Sequence, residues 1–168
     1  MLFRSIYDAM KEYGLVPEKI EEAAWKKGSI GYFMEAHIEQ GPVLDTENVE
    51  IGLVDCIVGI QRYMITIHGR ADHAGTTPMD MRKDAVDAAT KVISRIADWA
   101  REKADGTVAT VGYMKTIPGG MNIVAEEVQF TVDIRSSNND NINDITRRIR
   151  HALDREVKIG RASCRERV

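Results

Sequence analysis

His37 has the strongest claim to chemistry in this sequence. It lies in YFMEAHIEQG, residues 32–41, where Tyr32, Met34, Ala36 and Ile38 alternate with Phe33, Glu35, His37 and Glu39. That alternation predicts a strand with one apolar face and one face carrying a row of ionisable groups. Burying such a row without partners is costly, so the strand is expected on a solvated rim, in an ion-pair network or at a metal site. Imidazole is a common metal ligand, and a strand end holds it rigidly. An ion pair of His37 with Glu35 or Glu39 explains the same spacing, and both readings stay open from the residues alone. Glu39 reads either as a general base or as a structural carboxylate, the latter being favoured. Gln40, Gly41 and Pro42 then end the strand, and polar groups at the carboxyl end of a strand are where open α/β sheets place ligands.

His73 lies in the loop ADHAGTTPM, directly before a helix start. Loops on a rigid scaffold carry function, and the amino end of a helix favours an anion. A solvated turn histidine is the plainer alternative. Arg135 closes an alternating strand and can grip a carboxylate through two parallel hydrogen bonds, although an arginine there is more often a solvated charge. Asn122, after the turn Pro118–Gly119–Gly120, offers an amide donor and acceptor. His68 and His151 read as ordinary surface residues of a strand and a helix.

The elements that must position these groups follow from periodicity. Leu2 to Tyr13 repeats apolar residues at helical spacing until Gly14, and Pro17 to Trp25 predicts a second short helix with Ile20, Ala23 and Ala24 inward. From Cys56 a long strand follows, with Tyr63, Ile65 and Ile67 on one face. Thr77, Pro78 and Asp80 predict the start of a helix that runs to about Lys103 and buries Ala85, Ala88, Ala89, Val92, Ile93 and Ile96. A strand over Thr107 to Ile117 comes next, then a strand over Glu127 to Arg135 and a helix from about Ile142 to Val157. The order from Cys56 is strand, helix, strand, strand, helix. That is a two-layer α+β sandwich of the split βαβ, ferredoxin-like type without its last strand.

The bulk composition sets limits. With 168 residues, 43% of them hydrophobic and 29% charged, the chain can bury a core and form one domain or two small ones. A net charge of -3 argues against a general nucleic-acid binder, and no apolar run reaches the roughly 20 residues that span a bilayer. The opening MLFRSIYDAMKEYG lacks the uninterrupted apolar stretch of a secretory signal. Cys56 and Cys164 have neither metal-type spacing nor a disulfide framework, so a cytoplasmic location is expected. The final stretch IGRASCRERV loses apolar periodicity and gains arginines. It reads either as a basic arm or, preferably, as a non-native tail, because it resembles the translation of a common sequencing adapter.

Taken together, EAHIEQGPVL, GRADHAGTTPM, ATVG, the GGMN segment and FTVDIRS, in this order and spacing, closely resemble the zinc-dependent amidohydrolases acting on N-carbamoyl amino acids and allantoate. These are relatives of the aminoacylases and dinuclear-zinc carboxypeptidases. The likeness covers about Leu2 to Lys158. It implies an α+β chain in three parts: residues 1–53 as a fragment of an α/β zinc-hydrolase catalytic domain, 54–158 as an incomplete lid and dimerisation domain, and 159–168 as the tail. It further implies that His37 is a ligand of one of two zinc ions, with manganese or cobalt as alternatives, and that Gln40 lies beside the substrate. Arg135 is expected to hold the carboxylate of a small-molecule substrate with help from Asn122. His73 is expected to stabilise the oxyanion formed at the carbamoyl or ureido carbon, from its own or a neighbouring subunit of a homodimer.

The remaining zinc ligands and the general base of that family have no counterpart in these 168 residues, so the chain alone is expected to be inactive. Two other readings remain: a peptidase or aminoacylase of the same wider clan, and a stand-alone dimerisation or binding module. Gln40 and Arg135 favour the carbamoyl or ureido substrates.

Overall fold

Two ten-residue strands, β1 (Gly59–His68) and β4 (Glu127–Ser136), form the centre of the fold, antiparallel and in register from Gly59↔Ser136 to His68↔Glu127. Side chains alternate across a pleat. Tyr63, Ile65 and Ile67 of β1 and Val128, Phe130, Val132 and Ile134 of β4 are therefore buried on one face. The opposite face carries Arg62, Met64, Thr66 and His68 beside Gln129, Thr131, Asp133 and Arg135, all half-buried or exposed. The structure is a computed structural model and describes residues 5–158 and 163–167. The chain divides into two units, one up to Gly52 and one from Leu53 onward.

In the second unit two helices cover the apolar face. Helix α3 (Ala85–Arg101) buries Ala85, Ala88, Ala89, Val92, Ile96, Trp99 and Ala100, and α4 (Asn139–Lys158) buries Ile142, Ile145, Ile149 and Leu153. The spacing of three and four residues puts each set on one stripe. The small residues at the start of α3 let its backbone approach the sheet closely. Full burial of each large side chain contributes about 1.5–3 kcal/mol, so this single core holds the unit together. Its polar edge is also satisfied: the Thr107 and Ser136 hydroxyls pair at 2.8 Å, and Lys103 meets Asp144 at 2.7 Å.

With β2 (Val108–Thr110), β3 (Met114–Ile117) and β5 (Ser163–Arg167), the sheet order is β2-β4-β1-β5, with β3 also on β4. Neighbouring strands are antiparallel throughout. This is the order expected of a split βαβ sandwich, and the mixed helix and sheet class agrees with the sequence reading. Three details differ. Thr77–Pro78 leads only into a 3₁₀ turn, Met79–Met81, because Arg82 returns to extended backbone (φ -78°, ψ 144°). The cap of α3 is Asp84, whose carboxylate accepts from the Val86 and Asp87 amides at 2.8 and 3.2 Å. The expected strand over 107–117 is divided into β2 (Val108–Thr110) and β3 (Met114–Ile117), since residues 111–113, with Gly112 at their centre, leave the ladder. Finally, residues 163–167 form β5 against β1, from Met64↔Arg167 to His68↔Ser163. The sandwich was expected to lack this strand for want of alternation, but backbone pairing at a bare sheet edge requires no apolar alternation.

The first unit holds α1 (Ile6–Glu12), a 3₁₀ helix (Pro17–Ala23) and α2 (Val43–Thr46). Ser5 caps α1 by accepting from the Asp8 amide at 3.1 Å, and the chain leaves it through Gly14 at φ +76°. The predicted second α-helix is the 3₁₀ segment, and Ile20 is exposed rather than inward. Residues 2–4 of the predicted first helix lie outside the described residues. The expected strand over 32–39 is not formed: Tyr32, Phe33, Met34 and Ile38 are all exposed, and the segment has no ladder partner among the described residues. Alternation gives a strand only where another strand satisfies its backbone groups. Pro17 is the one buried residue between 5 and 52. Among the described residues no helix is long and apolar enough to cross a membrane.

Candidate functional site

His73 is held by a loop built almost entirely from backbone hydrogen bonds. β1 ends as the Gly69 amide donates to Glu126 O at 2.7 Å and the Arg70 amide to Lys83 O at 2.8 Å. The chain then runs beside residues 122–124. His73 forms an isolated antiparallel bridge with Ile123, the Ala74 amide donates to Asn122 O at 2.9 Å, and the Val124 amide donates to Asp72 O at 2.8 Å. His73 and Asn122 are thus adjacent across two strand-like segments, far apart in sequence. Arg82 braces the turn from below, its Nε donating to Thr77 O at 2.9 Å and its Nη2 to Ala74 O at 2.6 Å. Arg70 does the same for the next turn through Met81 O at 3.0 Å and Asp72.

The imidazole of His73 is oriented by its own loop. The Gly75 amide donates to Nδ1 at 3.1 Å. A ring nitrogen that accepts a hydrogen bond carries the lone pair, which puts the ring proton on Nε2. The exposed ring therefore presents Nε2–H outward as a donor. Such a group suits a developing oxyanion.

Arg135 is at the far end of β4. Glu127 pairs with His68 and Arg135 with Ile60, so about 26 Å of strand separates the His73 loop from Arg135. Arg135 points to the open face of the sheet, where its Nε and Nη2 donate to the Asp133 carboxylate at 2.8 and 3.2 Å. Arg62 of β1, directly across from Asp133, donates its Nε to the same carboxylate at 2.8 Å. The hydrogen bonds from Arg135 first and Arg62 second hold the Asp133 carboxyl at about 2, well below the usual carboxylate range. The same carboxylate raises Arg135.

In the first unit, His37 is exposed and its Nδ1 faces Ile38 O. A carbonyl oxygen only accepts, so Nδ1 carries the proton and the Nε2 lone pair remains available to a metal. Glu39 does not pair with it. Its carboxylate accepts from the Val43 and Leu44 amides at 2.9 and 3.2 Å and so caps α2. That is the structural role its position suggested. Gln40 follows with φ +57°, a left-handed conformation unusual for its type. Among the described residues no three His, Cys, Asp or Glu side chains come together to hold a metal ion. One imidazole does not fit a zinc site by itself.

Asp133, Arg62 and Arg82 were missed from sequence. The first was readable, since DIR places Asp133 and Arg135 two apart on one strand face. The other two depend on strand register and loop closure.

Residues 57–161 match the peptidase dimerisation domain. An N-carbamoyl-L-amino-acid amidohydrolase of Paenarthrobacter aurescens is 43% identical over 145 residues, covering 86% of this chain and 35% of that protein. The allantoate amidohydrolase of Escherichia coli is 35% identical over 159 residues, covering 93% and 38%. Among solved structures, an amidase of the hydantoinase/carbamoylase family from Burkholderia multivorans superposes with a TM-score of 0.74 at 34% identity, covering 78% of this chain and 32% of that one. A putative amidohydrolase/peptidase from Burkholderia cenocepacia superposes with 0.75 at 29% identity, covering 98% and 39%. The chain thus spans little more than a third of the length of these curated relatives.

Proposed function

The chain belongs to the peptidase dimerisation domain family, and from that premise we propose that it is the lid and dimerisation part, with a piece of the catalytic domain, of a hydrolase. The reaction is cleavage of the carbamoyl or ureido C–N bond of an N-carbamoyl amino acid or of allantoate. The observation that carries this reading is the His73 ring, held by the Gly75 amide at Nδ1, in a loop that pairs with residues 122–124. With Nδ1 so engaged, Nε2–H is a donor set by the loop before any ligand arrives, as preorganised oxyanion stabilisation requires.

In this proposal Arg135 grips the substrate carboxylate, Asn122 assists and Gln40 lies beside the substrate. The length of β4 favours a homodimer, because a small substrate cannot touch His73 and Arg135 of one copy. His37 is the metal ligand of the piece, for zinc or else manganese or cobalt. One ligand does not make a metal site by itself.

The test is a chimera in which this stretch replaces its counterpart in the Paenarthrobacter aurescens amidohydrolase. The expected result is a chimera that hydrolyses N-carbamoyl amino acids and loses about 10²–10³ in kcat on His73→Ala. The 168-residue chain alone, with zinc added, is expected to release no ammonia. A folded chimera without hydrolysis, or one indifferent to His73→Ala, overturns the proposal.

A further inference from the structure

The open face of the sheet has a groove of about 810 Å³ over β1, β2 and β4, floored by Asp133. Its polar end is the Arg62–Asp133–Arg135 cluster. Asp133 occupies the Nε edge of both guanidiniums, and the other N–H donors of Arg62 and the Nη1 of Arg135 have no partner among the described residues. Arginines on an exposed strand ordinarily sweep through many rotamers, whereas these two are tied to one carboxylate. Two positive charges and one negative leave a single positive charge, the complement of one carboxylate.

The apolar end lies directly beside this cluster. Val108 is the cross-strand partner of Arg135 and Thr110 that of Asp133. Val108, Tyr113 and Met64 are 50%, 45% and 38% exposed along the groove and give it an apolar bed. An apolar bed with a few convergent polar groups at one end is the usual lining of a small-molecule site. The occupant that matches one unbalanced positive charge next to an apolar bed is a small amphiphilic carboxylate.

We propose that Arg62 and Arg135 together form a two-guanidinium clamp for the substrate carboxylate, that Asp133 is the positioning residue that sets the clamp, and that the neighbouring groove selects N-carbamoyl amino acids with a large apolar side chain. This rests on the reading of Arg135 as the carboxylate-binding residue, and adds Arg62, Asp133 and the side-chain preference to it. Allantoate, which has no apolar side chain, is then the poorer ligand.

The experiment is a titration of the 168-residue chain, followed by the arginine Nε–H and Tyr113 resonances, with N-carbamoyl-leucine, N-carbamoyl-glycine and allantoate as probes. The expected result is that N-carbamoyl-leucine binds about tenfold tighter than the other two. Arg62→Ala is expected to weaken it about tenfold, with partial recovery in Arg62→Lys. Asp133→Asn is the sharper probe. Simple charge arithmetic has the loss of a negative charge strengthen anion binding, whereas loss of positioning weakens it. Tighter binding by Asp133→Asn, or unchanged binding by Arg62→Ala while Arg135→Ala abolishes it, overturns the clamp and leaves the proposed function standing. Unchanged binding by Arg135→Ala removes the proposed carboxylate role itself. Equal affinity for the leucine and glycine derivatives overturns the side-chain preference, and absence of any shift at the two arginines overturns the whole inference.

Discussion

Gly69 closes β1 at the point where the loop of His73 departs, and its replacement by alanine is a severe test of how that loop is held. A methyl group built there would stand 2.1 Å from Lys83 O, 2.9 Å from Ala85 N and 3.1 Å from Ala125 O. All three are backbone atoms, so no side chain can swing aside. Comfortable contact needs the strand end and the start of α3 to part by roughly 1 Å or more. The bonds across that gap are Gly69 N–H to Glu126 O at 2.7 Å, Arg70 N–H to Lys83 O at 2.8 Å and Ala85 N–H to Ala125 O at 3.2 Å. At about 1 kcal/mol net for each of these three bonds lost or stretched, which matches the upper end of the roughly 1–3 kcal/mol usual for overpacking, Gly69→Ala should destabilise the second unit by about 3 kcal/mol. That is a large share of the 5–15 kcal/mol typical of a domain. The assay is urea unfolding followed by the fluorescence of the buried Trp99. Gly112→Ala is the matched control: nothing lies within 4 Å of its new methyl, and a change within about 0.5 kcal/mol is expected. A loss below about 1 kcal/mol for Gly69→Ala relative to that control would refute the reasoning.

Two further outcomes are expected. Asp133 is depressed to about 2 in the folded chain, so it stabilises the fold above the unfolded carboxylate value and loses that contribution as pH falls through about 2. Stability measured from pH 5 down to pH 2 should fall by about 2 kcal/mol on its account. Asp133→Asn should flatten that slope without abolishing it, because Asp144, lowered chiefly by Lys103, titrates in the same direction; an unchanged slope counts against the arginine pairing. Asp84→Ala should lower stability by about 1 kcal/mol through loss of the α3 cap, with Asp84→Asn close to wild type, and thermal melts of the three chains decide it.

Much of the second unit was legible because its elements are long and their periods clean. The alternation of Tyr63, Ile65 and Ile67 and of Val128 to Ile134 survives as the buried sheet face, and the apolar stripes of both helices survive as the rest of the core. What failed were local signals that tertiary structure overrode. Thr77–Pro78 has the composition of a helix start, but Arg82 ties Thr77 and Ala74 into a turn and moves the cap to Asp84. The alternation around His37 has no second strand to pair with, and residues 163–167 pair with β1 without any alternation. The placement of the candidate site was only half readable. The kinds of residue at His73, Asn122 and Arg135 suggested ligand chemistry. Only the antiparallel register reveals that the first two are neighbours, that the third is at the other end of β4, and that Arg62 shares its carboxylate.

The central strand of this sheet is also the first to be synthesised. Both neighbours of β1 arrive later, β4 after residue 126 and β5 after residue 162. A nascent chain therefore leaves the ribosome with Gly59–His68 bare along both edges while α3, β2 and β3 are still being made, and only local helix can form in that interval. On a crowded polysome the same edge of an adjacent nascent chain is as good a mate as β4. Slow elongation between residues 68 and 127 should thus raise the yield lost to co-translational mispairing, and rapid delivery of β4 should protect it.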